Sequence, residues 1–528
     1  MSRSAWTMLA VIVGSGVVFL DGTVVNVALP RIGQELPATL VGVLEGQTYV
    51  NSGYLAVLSA LLVLSGALND YYGRRLMFSI GLAGFGITSL LCGLAPTLEL
   101  LVLFRLLQGA AGALLVPGSL AIITATFSGT ERGRAFGVWA AATSALTTVG
   151  PILGGALVDT LSWRVAFLIN PPLIAVALYA TLRHVPETRD EQASSRFDWL
   201  GAAVVALAVG GLSFGLIRGQ EREWNDPVAF VALGAGLVAA GVFPVLMARS
   251  TNPLVPLGLF RLRNFAVINL ATFLVYGALY VSLAFQGLFL QGTLGYTALA
   301  AGATGVPVGI LLALFSAKVG GLCGRFGVRP FLVAGPVLMA AGFLWLARIP
   351  ASSQPWVAQP ERLASLVPSA GFLVDVLPGV LVFGVGLTLV VAPITTALMG
   401  SVPVRRSGLA SAINNAISRV GAPLVGAIIF IAITASYWAS IGSKVPGLDT
   451  SSPALRRQLA PLNRPPASLP APQRAAAREA STDAFRVAML VSAALMVAGA
   501  GVSGLGLRRR TEPVDEAIES ERASPAAI

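Results

Sequence analysis

Apolar runs close to twenty residues long recur along the chain, separated by short stretches rich in Arg, Gly and Pro. They fall near 6–29, 47–68, 77–95, 99–126, 135–158 and 164–182, then 199–217 and 228–247, then 265–290, 298–317, 330–347, 376–399, 408–435 and 484–507. An α-helix needs about 20 predominantly apolar residues to cross a hydrocarbon layer roughly 30 Å thick. The pattern therefore predicts an all-α polytopic membrane protein with about fourteen spanning helices. A polar stretch, RHVPETRDEQASSRFD, sets off the first six, and the spacing of the rest reads as two and then six. The predicted domains are a six-helix bundle at 1–183, a linker with two inserted helices at 184–264, and a second bundle at 265–507. That second bundle carries an outer loop at 436–483, and a polar, disordered tail follows at 508–528.

Composition agrees with this pattern. The 528 residues are 55% hydrophobic and 11% charged, where a soluble domain carries about 25% charged residues. The N-terminal run resembles a signal peptide, but Asp21 interrupts it and no small-residue cleavage pattern follows, so it is assigned as the first span. Cys92 and Cys323 give no disulfide framework and are expected to be packing residues.

The net charge of +11 changes the picture only through its placement. With both termini in the cytoplasm, the inner segments hold Arg74 and Arg75, Arg132 and Arg134, Arg405 and Arg406, and Arg508 to Arg510. The short outer loops hold Arg31, Arg164, Arg218, Arg222, Arg348 and Arg362. That asymmetry follows the positive-inside rule and accounts for the basic character without nucleic acid. The loop at 436–483 runs against it, with Lys444, Arg456, Arg457, Arg464, Arg474 and Arg478; several lie well away from the helix ends, where the rule weakens.

Four sequence features carry candidate chemistry. An ionisable group inside a span is a functional candidate by default. Asp21 is one: burial favours the neutral acid and would let it exchange protons near neutral pH; otherwise it is a polar cap near the outer helix end. Arg105, mid-way along the fourth span, is another, either tuning a carboxylate or tied to backbone carbonyls. The stretch GALNDYYGRR (66–75) reverses the chain at the inner face. Its Gly66 and Gly73 permit unusual torsions, Asp70 suits a helix N-terminus, and Arg74 and Arg75 suit lipid phosphates or a neighbouring acid. Such a cluster is either a conformational latch or an ordinary basic turn. In GPILGG, Gly150 and Gly154 form a small-xxx-small face, while Pro151 removes a backbone hydrogen bond; with Gly155 they make a hinge, a seal or simple close packing. Arg419 is a second membrane cation of unassigned role. The similar inner loops GALNDYYGRR and GGLCGRFGVR (320–329) suggest two related halves.

These residues also carry a resemblance. GALNDYYGRR looks like the signature loop of the major facilitator superfamily. LDGTVVNVALPRI (20–32) resembles the first-helix motif of its fourteen-helix drug:proton antiporter branch. LFRLLQGAAGALLVPGSLAII (103–123) resembles the fourth-helix motif with its intramembrane arginine, and GVWAAATSALTTVGPILGGALVD (137–159) the fifth-helix antiporter motif, continued by SWRVAFLINPP. The match is dense in the first half and loose in the second. Asn69, Leu146, Gly324 and Tyr49 depart from it. The resemblance implies a major facilitator fold and proton coupling through Asp21 and Arg105. It implies a latch at Gly66, Asp70, Gly73, Arg74 and Arg75 and an antiporter hinge at Gly150, Pro151, Gly154 and Gly155. A substrate cavity is expected among Asn26, Tyr49, Tyr54, Gln108, Trp139, Tyr276, Tyr280, Asn414 and Arg419.

The expected function is proton-coupled export of hydrophobic or amphipathic small molecules from the plasma membrane of a bacterium, by a functional monomer without metal or cofactor. An ATP-driven pump is disfavoured by the lysines: Lys318 follows Ala317 and Lys444 follows Ser443, so neither completes a phosphate-binding loop. A single histidine, His184, and the lack of clustered metal ligands disfavour an enzyme. The short tail disfavours a sensor. An importer, or a transporter dedicated to one metabolite such as a siderophore, stays open.

Overall fold

The computed structural model of the chain describes residues 2–37, 43–127, 129–189, 197–221, 224–251, 253–359, 361–402, 407–445, 450, 459, 461–465 and 469–507. The tail at 508–528 and Arg405 and Arg406 lie outside the described residues, as do the side chains of Asp70, Arg132, Arg134 and Arg419.

The elements in order are α1 (Arg3–Glu35), α2 (Val43–Tyr72), α3 (Arg74–Gly93), α4 (Leu98–Ala113), α5 (Leu115–Thr126), α6 (Gly129–Thr160), α7 (Val165–Leu168) and α8 (Asn170–His184). The pair α9 (Trp199–Glu221) and α10 (Pro227–Arg249) follows. The second half holds α11 (Gly258–Arg261), α12 (Arg263–Leu288), α13 (Ala298–Ala303), α14 (Val306–Phe326), α15 (Arg329–Leu346), α16 (Leu377–Gly400), α17 (Ser407–Lys444) and α18 (Ala471–Gly506). Among the described residues, fourteen helices are long and apolar enough to span a membrane, one for each predicted run.

Lipid offers the backbone no hydrogen bonds, so helices are the form that these runs can take. Side chains complete several starts: Ser2, Thr97, Asp226 and Thr297 accept hydrogen bonds from the first turns of α1, α4, α10 and α13. Inside the helices, hydroxyls bond back to their own backbone, as Ser15 does to Val11 and Thr181 to Ala177, which hides a polar atom at small cost. At the other end, Arg263 donates to the Gly506 carbonyl at 2.9 Å and Arg329 to that of Gly504. These cations stand at the helix terminus whose dipole favours them.

Association rests on close packing of small residues, because lipid tails remove the usual hydrophobic drive between helices. A Cβ on Gly277 would lie 3.0 Å from the Gly421 carbonyl, joining α12 to α17, and one on Gly335 would lie 2.9 Å from the Gly386 carbonyl, joining α15 to α16. Two six-helix bundles result, with α9 and α10 packed on each other; α9 lies against both α2 and α17, beside the seam between the bundles.

The connection between α17 and α18 is shorter than the apolar pattern suggests. α17 extends to Lys444 and α18 starts at Ala471, since Lys444 pairs with Asp483 at 2.8 Å and Glu479 at 3.3 Å. Ion pairs hold both helices wound beyond the apolar stretch.

Candidate functional site

Asp21 lies in the interior of α1, fourteen residues before its end at Glu35. Its side chain is fully buried, as are those of Arg105, Gln108 and Asn170. The polar-cap reading fails here, because the residue is wrapped by α2, α4 and α8. Arg105 and Gln108 sit three residues apart in α4 and share a face.

The geometry is that of a closed network. Arg105 Nη1 donates to Asp21 Oδ2 at 2.5 Å and to Gln108 Oε1 at 2.7 Å, and Arg105 Nε donates to the Val50 carbonyl at 2.9 Å. Gln108 Nε2 donates to Asp21 Oδ1 at 3.2 Å, and Asn170 Nδ2 donates to the same oxygen at 3.0 Å. The guanidinium lies 3.9 Å from the centre of the Tyr54 ring and 5.7 Å from that of Phe167. Arg105 makes both kinds of contact that its two candidate roles call for, one to a carboxylate and one to a backbone carbonyl. A buried ion pair offsets its desolvation only when its remaining donors and acceptors find partners; here the amides, a carbonyl and two aromatic faces supply nearly all of them. Arg105 Nη2 has no hydrogen-bond partner among the described residues.

The glycines of α6 use two faces rather than one. A Cβ on Gly150 would collide with Thr23, and one on Gly154 would lie 2.9 Å from Val24, so this pair seats α6 against α1 in the turn that follows Asp21. Pro151 and Gly155 face the other bundle. A Cβ on Gly302 would lie 3.0 Å from the Pro151 side chain, and one on Gly155 3.5 Å from Leu299. The helix runs from Gly129 to Thr160 through Pro151.

The turn between α2 and α3 is tighter than a ten-residue reversal. α2 continues to Tyr72 and α3 starts at Arg74, so the reversal falls on Gly73, whose φ is +113°. That torsion is strained for other residues. Gly66 lies inside α2 and is a contact glycine: its Cβ would lie 2.8 Å from that of Ala412 on α17. The acid at the start of α3 is Glu187, which follows α8. Its carboxylate accepts from the Arg75 and Leu76 amides at 3.0 Å each, and Arg74 N donates to the Thr188 carbonyl at 2.9 Å. A carboxylate there satisfies orphan amides and meets the positive end of the helix dipole. Asp70 lies in the last turns of α2, its side chain outside the described residues.

The expected cavity residues separate into groups. Tyr54 and Gln108 belong to the Asp21 network. Tyr49 turns to the inserted pair instead of a central cavity: its hydroxyl accepts from Arg218 at 2.8 Å and its ring stacks on Phe214. Asn26 is exposed and accepts from Asn51 at 2.6 Å. Trp139 Nε1 donates to Ser15 at 2.8 Å, and Phe19 meets the same indole edge-on. Tyr276 and Tyr280 have ring centres 6.0 Å apart. Asn414 joins α17 to α12 through Asn269 at 3.1 Å and Thr272 at 2.9 Å. The side chain of Arg419 lies outside the described residues.

Sequence reading singled out neither Asn170 nor Ser89, and it treated Cys92 as mere packing although its thiol lies 3.6 Å from Gln108 Oε1. The available signal for Asn170 was an amide inside the apolar run FLINPP. The two prolines that follow occupy the first positions of α8, where an N–H is not needed, and place Asn170 at its start.

Comparison with known proteins agrees with this architecture. The family model described as Major Facilitator Superfamily matches residues 11–441. The chain is 35% identical over 424 residues to the multidrug resistance protein Stp of Mycobacterium tuberculosis (strain CDC 1551 / Oshkosh), covering 80% of this chain and 74% of that protein. It is 32% identical over 423 residues to the tetracenomycin C resistance and export protein of Streptomyces glaucescens, with the same coverage of 80% and 74%. Among solved structures, a bacterial homologue of the human lysosomal transporter Spinster, inward-facing and occupied, superimposes with a TM-score of 0.59 at 17% identity over all of both chains. That likeness concerns the fold alone.

Proposed function

The chain belongs to the Major Facilitator Superfamily, and on that premise we propose that it exports hydrophobic or amphipathic small molecules across a bacterial plasma membrane in exchange for protons. The observation that carries this reading is the fully buried Asp21 carboxylate paired with Arg105 at 2.5 Å. A buried acid is costly in a membrane interior, and a pair with hydrogen-bonded neighbours is a site where one proton changes the local charge. The relatives named for multidrug resistance and for tetracenomycin C export support export over import and a drug-like substrate over a dedicated metabolite.

In this mechanism Asp21 takes a proton from the outer side and releases it inward, while Arg105 keeps its charge and holds the carboxylate in register. Inward proton movement draws on the membrane potential, worth about 2.3 kcal/mol per charge per 100 mV, and on the pH gradient. Asp21 is closed off from the bundle interface, so substrate acts on it through α1. Asn26, one and a half turns further along, and the Phe19–Trp139 edge are the α1 contacts open to substrate, with Tyr276 and Tyr280 opposite. The bundles rock about this cavity. The packing of α2 on α17 at Gly66 and the Glu187 cap on α3 close the inner side in one state, with both termini cytoplasmic and one chain as the working unit.

The test uses purified protein in liposomes with an acidic interior and a pH-sensitive dye, challenged with lipophilic cations, neutral drugs and zwitterions. Substrate-triggered proton release by the native chain that disappears in Asp21→Asn is the expected result. Equal release by both would remove Asp21 from the coupling; no response from folded protein to any compound would overturn antiport of these substrates.

A further inference from the structure

The carboxylate of Asp21 is held on one side by an amide with an unusual balance of partners. Asn170 is fully buried at the start of α8. Its Nδ2 donates to Asp21 Oδ1 at 3.0 Å and to Ser89 Oγ at 2.9 Å, and Ser89 in turn donates to the Phe167 carbonyl at 2.9 Å. A single chain of hydrogen bonds thus runs from α1 through α8 and α3 to α7. Asn170 Oδ1, by contrast, is buried and has no hydrogen-bond partner among the described residues.

Buried amide oxygens ordinarily find donors, and one that does not calls for an explanation. The state of Asp21 supplies it. An ionised carboxylate only accepts hydrogen bonds, and this one receives donors from Arg105, Gln108 and Asn170. Once protonated it becomes a donor on one oxygen and needs an acceptor. Gln108 Oε1 is already taken by Arg105 and Cys92. Asn170 Oδ1 is not.

We propose that Asn170 is the positioning residue that reads the protonation state of Asp21 and relays it to α3 and α7. A proton from a hydronium ion adds to Oδ1 of Asp21, breaking one O–H bond of the hydronium and leaving water, and the pair then carries the single positive charge of Arg105. The Asn170 amide rotates by half a turn, so that its oxygen accepts from the new O–H. On its other side the same oxygen accepts from Ser89, which releases the Phe167 carbonyl. Protonation on α1 thereby frees a contact between α3 and α7, next to the start of α8. Among the described residues, the titratable or charged groups facing Asp21 are Arg105 from α4, Tyr54 from α2 and Cys92 from α3. α6, α7 and α8 present Gly150, Phe167 and Asn170.

This inference rests on Asp21 carrying the coupled proton. The full-length chain is reconstituted, and substrate-triggered proton release is followed against pH for the native protein, Asp21→Asn, Asn170→Leu and Asn170→Asp. Removing the amide takes a charge-assisted bond from the ionised carboxylate and only a neutral one from the protonated acid, the former roughly twice as strong, so the midpoint of the Asn170→Leu profile should move up by about one pH unit. Asn170→Asp, nearly isosteric, should move it further in the same direction by adding a like charge, and it stands in should the leucine variant fail to fold. Infrared difference spectra of the purified protein give a second readout. The carboxylic C=O band that Asp21→Asn abolishes should shift in frequency in Asn170→Leu, because its O–H has lost its acceptor. Proton release that persists in Asp21→Asn removes Asp21 from the coupling and overturns this inference while antiport stands; no release by the folded native chain overturns the proposed function. Loss in Asp21→Asn with an unmoved midpoint and band in folded Asn170 variants overturns the role of Asn170 alone.

Discussion

Arg105 shows how one residue is made tolerable in a membrane protein and useful there. Its charge is balanced by Asp21, its Nε by a backbone carbonyl and its face by Tyr54. Removing one member of a buried pair costs about 3–5 kcal/mol, because the other charge is left uncompensated, whereas replacing both with apolar groups is often neutral. Arg105→Met alone should therefore lower the thermal stability of the purified protein markedly. The double variant Asp21→Leu/Arg105→Met should recover most of that loss yet show no substrate-triggered proton release. A double variant no more stable than the single one would mean that the network, not the charge pair, sets the cost. Both residues were visible in the sequence, since charge inside an apolar run is conspicuous. Asn170 was not, because an amide beside two prolines also reads as an ordinary helix start; only its two acceptors give it a role.

At the scale of elements, α6 is the piece whose sequence and structure differ most instructively. The spacing of Gly150 and Gly154 did specify a close-packing face. Which neighbour it meets, and that Pro151 and Gly155 point about a quarter-turn away to α13, depends on how the whole bundle is assembled. The two faces should respond differently to one added methyl. In Gly154→Ala the new carbon would lie 2.9 Å from a Val24 side-chain atom and 3.0 Å from the Val24 backbone. Forcing α6 off α1 in this way should cost about 1–3 kcal/mol. Gly155→Ala meets Leu299 only at 3.5 Å, an ordinary contact, and should stay within about 0.5 kcal/mol. Thermal unfolding of both variants in one detergent compares them directly, and equal losses would contradict the two-face assignment. The inner loop holds a similar lesson. The motif pointed to Gly73 as a turn, and its positive φ requires glycine there, but the acid that caps α3 is Glu187, more than a hundred residues away along the chain.

For the whole molecule, the seam between bundles decides whether alternating access applies. α2 and α17 come so close at Gly66 and Ala412 that a Cβ added to Gly66 would lie 2.8 Å from that of Ala412. If the bundles rock, this contact opens in each cycle. The pair Gly66→Cys/Ala412→Cys should therefore cross-link under mild oxidation, lose transport, and regain it on reduction. Full transport by quantitatively cross-linked protein would show that the inner seam stays shut. The inserted pair α9–α10 lies beside this seam and holds Tyr49 through Arg218, so the two extra helices are fastened to the N-terminal bundle rather than merely tethered by linkers.

The sequence by itself determined the fourteen spans, their grouping as six, two and six, and the residues whose charge had to be explained. Helix formation and membrane insertion depend on local length and hydropathy, and both are written along the chain. Only the tertiary structure decided which polar groups meet: Asp21 with Arg105, Gln108 and Asn170, Glu187 with the start of α3, Tyr49 with Arg218. Those pairings join residues far apart in sequence, and their physical necessity arises from burial. A polar group removed from water must find its partner wherever the packing of helices brings one within hydrogen-bond reach, and that position is a property of the assembled bundles, not of any one segment.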